Sequence, residues 1–111
     1  MSTAPAAAVG RIVHYKLSEQ DAEAINRRRS DRLAYQSNPY NDPRVAYKPT
    51  GFQVHHGNPA AAGDVLPMLI VRVWNDEVVN GQVFLDGNDS LWVTSVPSGD
   101  GQRRWTWPPR V

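Results

Sequence analysis

The run from Val79 to Val96, V-N-G-Q-V-F-L-D-G-N-D-S-L-W-V-T-S-V, constrains the fold more than any other part of the chain. Two segments rich in β-branched and aromatic residues flank the polar tip Asp86-Gly87-Asn88-Asp89, the pattern of a β-hairpin. Upstream, Met68–Trp74 is apolar on both alternating sets: Leu69, Val71 and Val73 on one, Met68, Ile70, Arg72 and Trp74 on the other. It reads as a central strand covered on both faces. Asn75-Asp76 between these runs is turn chemistry. Asn80-Gly81 would leave too short an arm for a hairpin of its own, so it predicts a bulge within the strand.

Weaker signals complete the sheet. Arg11–Lys16 alternates enough for a first strand, Gly51–His56 for a short one with Phe52, Val54 and His56 on one face, and Arg103–Trp107 for a last strand stopped by Pro108-Pro109. Pro97–Gly101 is a loop. The expectation is a mainly β (α+β) fold: an antiparallel, β-sandwich-like or barrel-like core of five or six strands with one N-terminal amphipathic helix. At 111 residues this is one β-rich domain over 10–111, preceded by a loose, small-residue stretch over 1–9.

The helix is expected over 19–33. Ser18 is a natural N-cap, Asp21 takes the place of Glu in a capping box, and Leu17 is placed to pack on Ala22 as a hydrophobic staple. Its apolar stripe is thin, Ala22, Ile25 and Leu33, so it must lie on the sheet or on another subunit. Acidic Glu19, Asp21 and Glu23 precede Arg27, Arg28, Arg29 and Arg32, an order that suits the helix dipole and offers a Glu23–Arg27 pair. An Asn/Pro-rich loop is expected over 35–51, where Pro39, Pro43 and Pro49 oppose regular helix.

Composition narrows the function. A net charge of +1 is too balanced for a protein that coats nucleic acid. With no cysteine there is neither a disulfide nor a thiolate site. No apolar run approaches the roughly 20 residues of a membrane span, and the N-terminus lacks the features of a secretory signal, so a cytoplasmic location is the expectation.

Enzyme chemistry finds little support. His55 and His56 would point to opposite faces of a strand, His14 is remote, and no metal site or cofactor is expected. Neither a nucleophile elbow nor a phosphate-binding glycine loop occurs. Asp86 and Asp89 are more often turn formers than an acid pair. Arg27-Arg28-Arg29 fan around a helix, a solvated or interface face, with one of them able to reach a phosphate as a second site. Trp105 and Trp107 share a strand face among Arg103, Arg104 and Arg110. Core packing explains one or both, but Trp74, Trp92, Phe84 and Phe52 compete for the same small core. An indole left outside it would stack on a planar ligand, with arginine for its charge and Asn88 to read an edge.

The segments G-R-I-V-H-Y, M-L-I-V-R-V-W, V-N-G-Q-V-F-L-D-G-N-D, W-V-T-S-V and W-T-W-P together resemble small proteins of tailed phages, in particular the first-described Thoeris anti-defence family. The likeness covers most of the chain apart from residues 18–60. It implies a β-sandwich-like core, helices that mediate homo-oligomerisation, and sequestration, without hydrolysis, of cyclic ADP-ribose isomers in the infected bacterial cytoplasm. Some members take up cyclic oligonucleotides of the CBASS pathway at separate sites. On that resemblance Phe84, Asn88 and an arginine near the end, Arg110, Arg103 or Arg104, are ligand contacts. Asp89 and Trp105 join them as candidates from the loop and the aromatic pair. The function expected is therefore a nucleotide sponge, not an enzyme. The rivals are a phage structural or assembly protein and, less favoured on charge, a small nucleic-acid-binding β-domain.

Overall fold

The computed structural model describes residues 5–37 and 57–109 of the chain. The expected strand at 51–56 with Phe52, Val54 and both adjacent histidines, most of the Asn/Pro-rich loop, and Arg110 lie outside the described residues.

Within them the chain runs β1 (Ile12–Lys16), α1 (Glu19–Ser37), β2 (Val65–Val73), β3 (Val78–Phe84), β4 (Ser90–Pro97) and β5 (Trp105–Thr106). All neighbouring strands pair antiparallel in one sheet of order β4-β3-β2-β1-β5. Among the described residues the fold is thus mainly antiparallel β with one helix, as expected, and its strands form one curled sheet, the barrel-like form of the expected core. A bridge from Ser98 to Trp105, and the Gly99 N–H donated to the Trp105 carbonyl at 3.0 Å, bring the far end of β4 to β5. The sheet becomes a half-barrel.

The curl has a local cause. Along the β2–β3 ladder the register slips between Ile70 and Arg72, leaving Val71 unpaired; along β3–β4 it slips opposite Val79–Gly81. Both bulges meet at Asn80-Gly81, where the sequence pointed, although the extra residues sit on the partner strands. Two bulges in one row sharpen the bend. Ser95, within the β4 bulge, takes a left-handed φ of 51°. Gly81 is required there, because a Cβ would stand 2.4 Å from Met68 Cγ.

The concave face carries the core. Val13 and Tyr15, Met68 and Ile70, Val83 and Val93 are buried there, each large aliphatic side chain contributing about 1.5–3 kcal/mol. The opposite face of β2 is not closed: Leu69 is half-buried and Val71 exposed. Met68–Trp74 is central in the sheet but, among the described residues, fully covered on one face only.

Residues 5–9, expected to be loose, are tied down. Ala7 is buried in the core, and the Trp107 indole N–H donates to the Pro5 carbonyl at 2.9 Å. The capping box forms as expected: the Ser18 N–H donates to Asp21 Oδ2 at 3.0 Å, and the Asp21 N–H to Ser18 Oγ at 3.1 Å. Leu17 and Ala22 are both buried. The helix then continues to Ser37, past the expected end at Leu33, which is exposed. The arginines therefore lie mid-helix, none in the last turn. Glu23 and Arg27 form no ion pair among the described residues, where Arg28 and Arg29 both pair instead with Asp89.

Candidate functional site

The residues expected to form one pocket are divided between two ends of β3. Phe84, Asn88 and Asp89 lie at the hairpin end. Trp105 donates its indole N–H to the carbonyl of Glu77, just before β3, at 2.9 Å. Seven residues of extended strand separate those ends, roughly 20 Å at the usual rise.

At the hairpin end the polar groups are matched internally. Arg29 holds Asp89 in a two-pronged pair, Nε to Oδ2 at 3.1 Å and Nη2 to Oδ1 at 2.9 Å, and donates to the Asn58 carbonyl at 2.5 Å. Arg28 reaches the same carboxylate at 3.3 Å. The Asn58 amide donates to Asp86 Oδ2 at 2.6 Å, and Asn26 exchanges two bonds with the Ala60 backbone. This clamp docks a helix whose apolar stripe is too thin to dock itself. The Arg29 hydrogen bond holds the Asp89 carboxyl below its ordinary value, and the same bond raises the Arg29 guanidinium. Gly87 lets the guanidinium in: a Cβ there would sit 2.9 Å from Arg29 Nη2. Asp89, Arg28 and Arg29 are thus committed to one another, while Arg27 and Asn88 are exposed.

At the other end the arginines also face backbone. Arg104 donates to the Ser98 carbonyl at 3.0 Å, and Arg103, in a left-handed φ of 59°, donates to the Thr94 carbonyl at 3.3 Å. Trp105 is 3% exposed and fills the core, so it offers no open face for stacking a base. The Tyr15 hydroxyl, buried beside it in the core and bonded to Asp21 at 2.5 Å, is pushed well above its ordinary pKa, first by burial and then by that carboxylate. Each group with a displaced pKa among the described residues therefore answers to an internal partner.

The open surface is the outer face of the sheet. Ile12, Leu69, Gln82 and Trp92 are register partners across β1, β2, β3 and β4. On β3, Asn80, Gln82 and Phe84 point outward while Gly81 and Val83 are buried. The Trp74 indole closes over Asn80, donating to its Oδ1 at 2.9 Å; the same oxygen accepts the Ser95 N–H at 2.8 Å. Asn80 is buried as a result. Arg72 stacks its guanidinium 4.1 Å from the Trp74 ring centre. Three aromatic rings thus accompany successive outward positions of β3: Trp74 at Asn80, Trp92 at Gln82, and Phe84 itself. They are 53%, 62% and 46% exposed, and such positions are roughly 7 Å apart. The sequence reading does not single out Trp74, Trp92 or Arg72 for this surface. The alternation of S-L-W-V-T carried the signal for Trp92, since its neighbour Val93 takes the inward position.

No protein-family model, curated protein or solved structure matches this chain.

The edge of β4 completes the geometry. The Leu85 N–H donates to the Asp89 carbonyl, which fixes the hydrogen-bonded pairs, so Ser90, Trp92 and Thr94 turn their backbone groups away from β3. Arg28 donates to the Ser90 carbonyl at 2.9 Å, and Arg103 takes that of Thr94. Two of the three outward carbonyls are covered by side chains. Among the described residues no group of three or more His, Asp or Glu is placed to hold a metal, and no helix is long and apolar enough to cross a membrane.

Proposed function

We propose that the protein is a non-catalytic binder that sequesters a small nucleotide on the outer face of its sheet. The observation that carries this reading is the row of three exposed aromatics, Trp74, Trp92 and Phe84, with Arg72 stacked at one end. Planar bases stack on such rings for about 1–3 kcal/mol each. A guanidinium beside them supplies the charge for a phosphate, and Gln82, between the rings, has both donors and an acceptor for a base edge. Phe84 keeps the role that the resemblance to the Thoeris anti-defence family implies. Trp92 replaces Trp105 as the principal stacking residue. In this reading the chain works in the cytoplasm of an infected bacterium as a homo-oligomer, releasing its ligand slowly and unchanged.

Calorimetric titration with cyclic ADP-ribose isomers and cyclic dinucleotides tests it. Saturable binding is expected, with the nucleotide recovered intact after heat denaturation and affinity at least tenfold lower in Trp92→Ala. Binding that Trp92→Ala leaves untouched puts the site elsewhere, and recovery of a cleaved product makes the protein an enzyme. One observation favours a second reading, a phage assembly or protein-interaction role: Ile12 and Val71 extend the same face with exposed apolar surface. No binding across the panel, together with self-association lost in Trp92→Ala, would select it.

A further inference from the structure

At the β5 edge of the sheet, β1 and β5 bring basic and hydroxyl side chains to one small cavity of about 150 Å³. We propose that it holds a phosphate group, free or as the terminal group of an ester, independently of the aromatic row on β3 and β4. Val13, Tyr15 and Trp105 point into the core, so alternation turns His14, Lys16, Arg104 and Thr106 outward. Register then brings these four together. His14 lies opposite Thr106. The Lys16 N–H donates to the Arg104 carbonyl at 3.2 Å, and the Lys16 carbonyl accepts the Arg103 N–H at 2.7 Å. Two residues thus oppose one, a bulge whose first residue, Arg103, has the left-handed φ of 59°.

The bulge sets Lys16 and Arg104 beside each other across a strand pair. Like charges in that position repel and cost stability. An anion between them turns the repulsion into attraction, and charge-assisted bonds to phosphate are among the strongest available.

The 98–101 loop fixes both cations without neutralising them. Lys16 Nζ donates to the Asp100 carbonyl at 2.7 Å, and Arg104 Nη1 to the Ser98 carbonyl at 3.0 Å. A Cβ on Gly99 would stand 2.9 Å from Arg104 Cδ, so the arginine stem runs close along the loop. These acceptors are uncharged, and the ammonium and guanidinium keep their remaining N–H donors. His14 and Thr106, both half-buried, add an imidazole and a hydroxyl to the lining. Side chains already held in place lose little freedom when a ligand arrives.

Size narrows the ligand further. The cavity is smaller than sites that enclose whole small molecules, roughly 300–1,000 Å³, and suits one tetrahedral oxyanion. Asp100 also lines it and is exposed. Its carboxylate opposes an anion, so removing that charge strengthens binding.

The test follows the backbone amide resonances of Lys16, Arg104 and Thr106 during titration with sodium phosphate and with methyl phosphate, against sodium chloride at equal ionic strength. Saturable shifts with at least one phosphate and none with chloride are expected, and the tighter of the two tells free phosphate from an ester. Affinity should fall about fivefold or more in Lys16→Gln and in Arg104→Gln, rise about twofold in Asp100→Asn, and stay unchanged in Trp92→Ala. The two neutral variants stand on different strands, so one remains informative if the other fails to fold. Shifts equal to those with chloride, no shifts at all, an affinity that both neutral variants leave unchanged, one lowered in Asp100→Asn, or one lost in Trp92→Ala would overturn the assignment.

Discussion

The 86–89 loop and the outer face of β3 and β4 are built from neighbouring residues, yet one is saturated with internal partners and the other stands open. In the loop, Asp86, Asp89, Asn58, Arg28 and Arg29 satisfy one another. On the face, Trp92 and Phe84 are large apolar groups with much of their surface in water. A cluster of charged and amide side chains looks like a binding site because it offers donors and acceptors. Here those groups hold a poorly amphipathic helix against a sheet. The aromatics looked like core, but a half-barrel of this size fills with Tyr15, Met68 and Trp105 and leaves other rings outside.

The sharpest way to break this contrast is to remove the centre of the clamp. Arg29→Ala leaves the partly buried Asp89 with only the longer Arg28 contact and removes the Arg29 donor from the Asn58 carbonyl. Unfolding in urea should show a loss of about 2–3 kcal/mol, and a loss under about 0.5 kcal/mol would mean the helix docks by other means. Acid titration is the next largest effect. Because the folded Asp89 pKa is lowered, its contribution is fully present above the ordinary value of 3.8 and disappears as pH falls through the folded value. Urea midpoints measured from neutral pH to pH 2 should therefore fall less steeply at the acid end in Asp89→Asn, which starts less stable. The smallest effect belongs to the open face: Trp92→Ala should change stability by no more than about 0.5 kcal/mol. A larger loss would reassign Trp92 from the proposed ligand surface to structural support.

What was legible in the sequence was local. Ser18 and Asp21 are three residues apart, so their reciprocal bonds could be read directly. Asn80-Gly81 announced a bulge because Gly in a strand is costly unless something approaches it closely, here Met68. The fold class followed from alternation. The site was harder, since Arg29 and Asp89 are separated by 60 residues and nothing in either neighbourhood names the other. The helix was expected to end at Leu33 and runs on to Ser37; hydrogen bonds from Asn26 and Arg29 fix its middle, where apolar contacts are few. The alternation of W-T-W predicts a shared strand face for Trp105 and Trp107. In fact β5 spans only Trp105–Thr106, and the second indole turns at right angles to the first.

The guanidinium covers on β4 bear on how the chain behaves when crowded. Its sequence from Ser90 to Pro97, S-L-W-V-T-S-V-P, carries no charge of its own, and an uncharged edge strand of that length invites another strand to add. Arg28 and Arg103 stand on two of the carbonyls an incoming strand would need. One of these guards is borne by the helix, so it leaves whenever the helix undocks. Fibril-like association then becomes a property of the partly opened molecule, and the clamp that merely seemed to hold a helix also sets how concentrated a solution the folded chain tolerates.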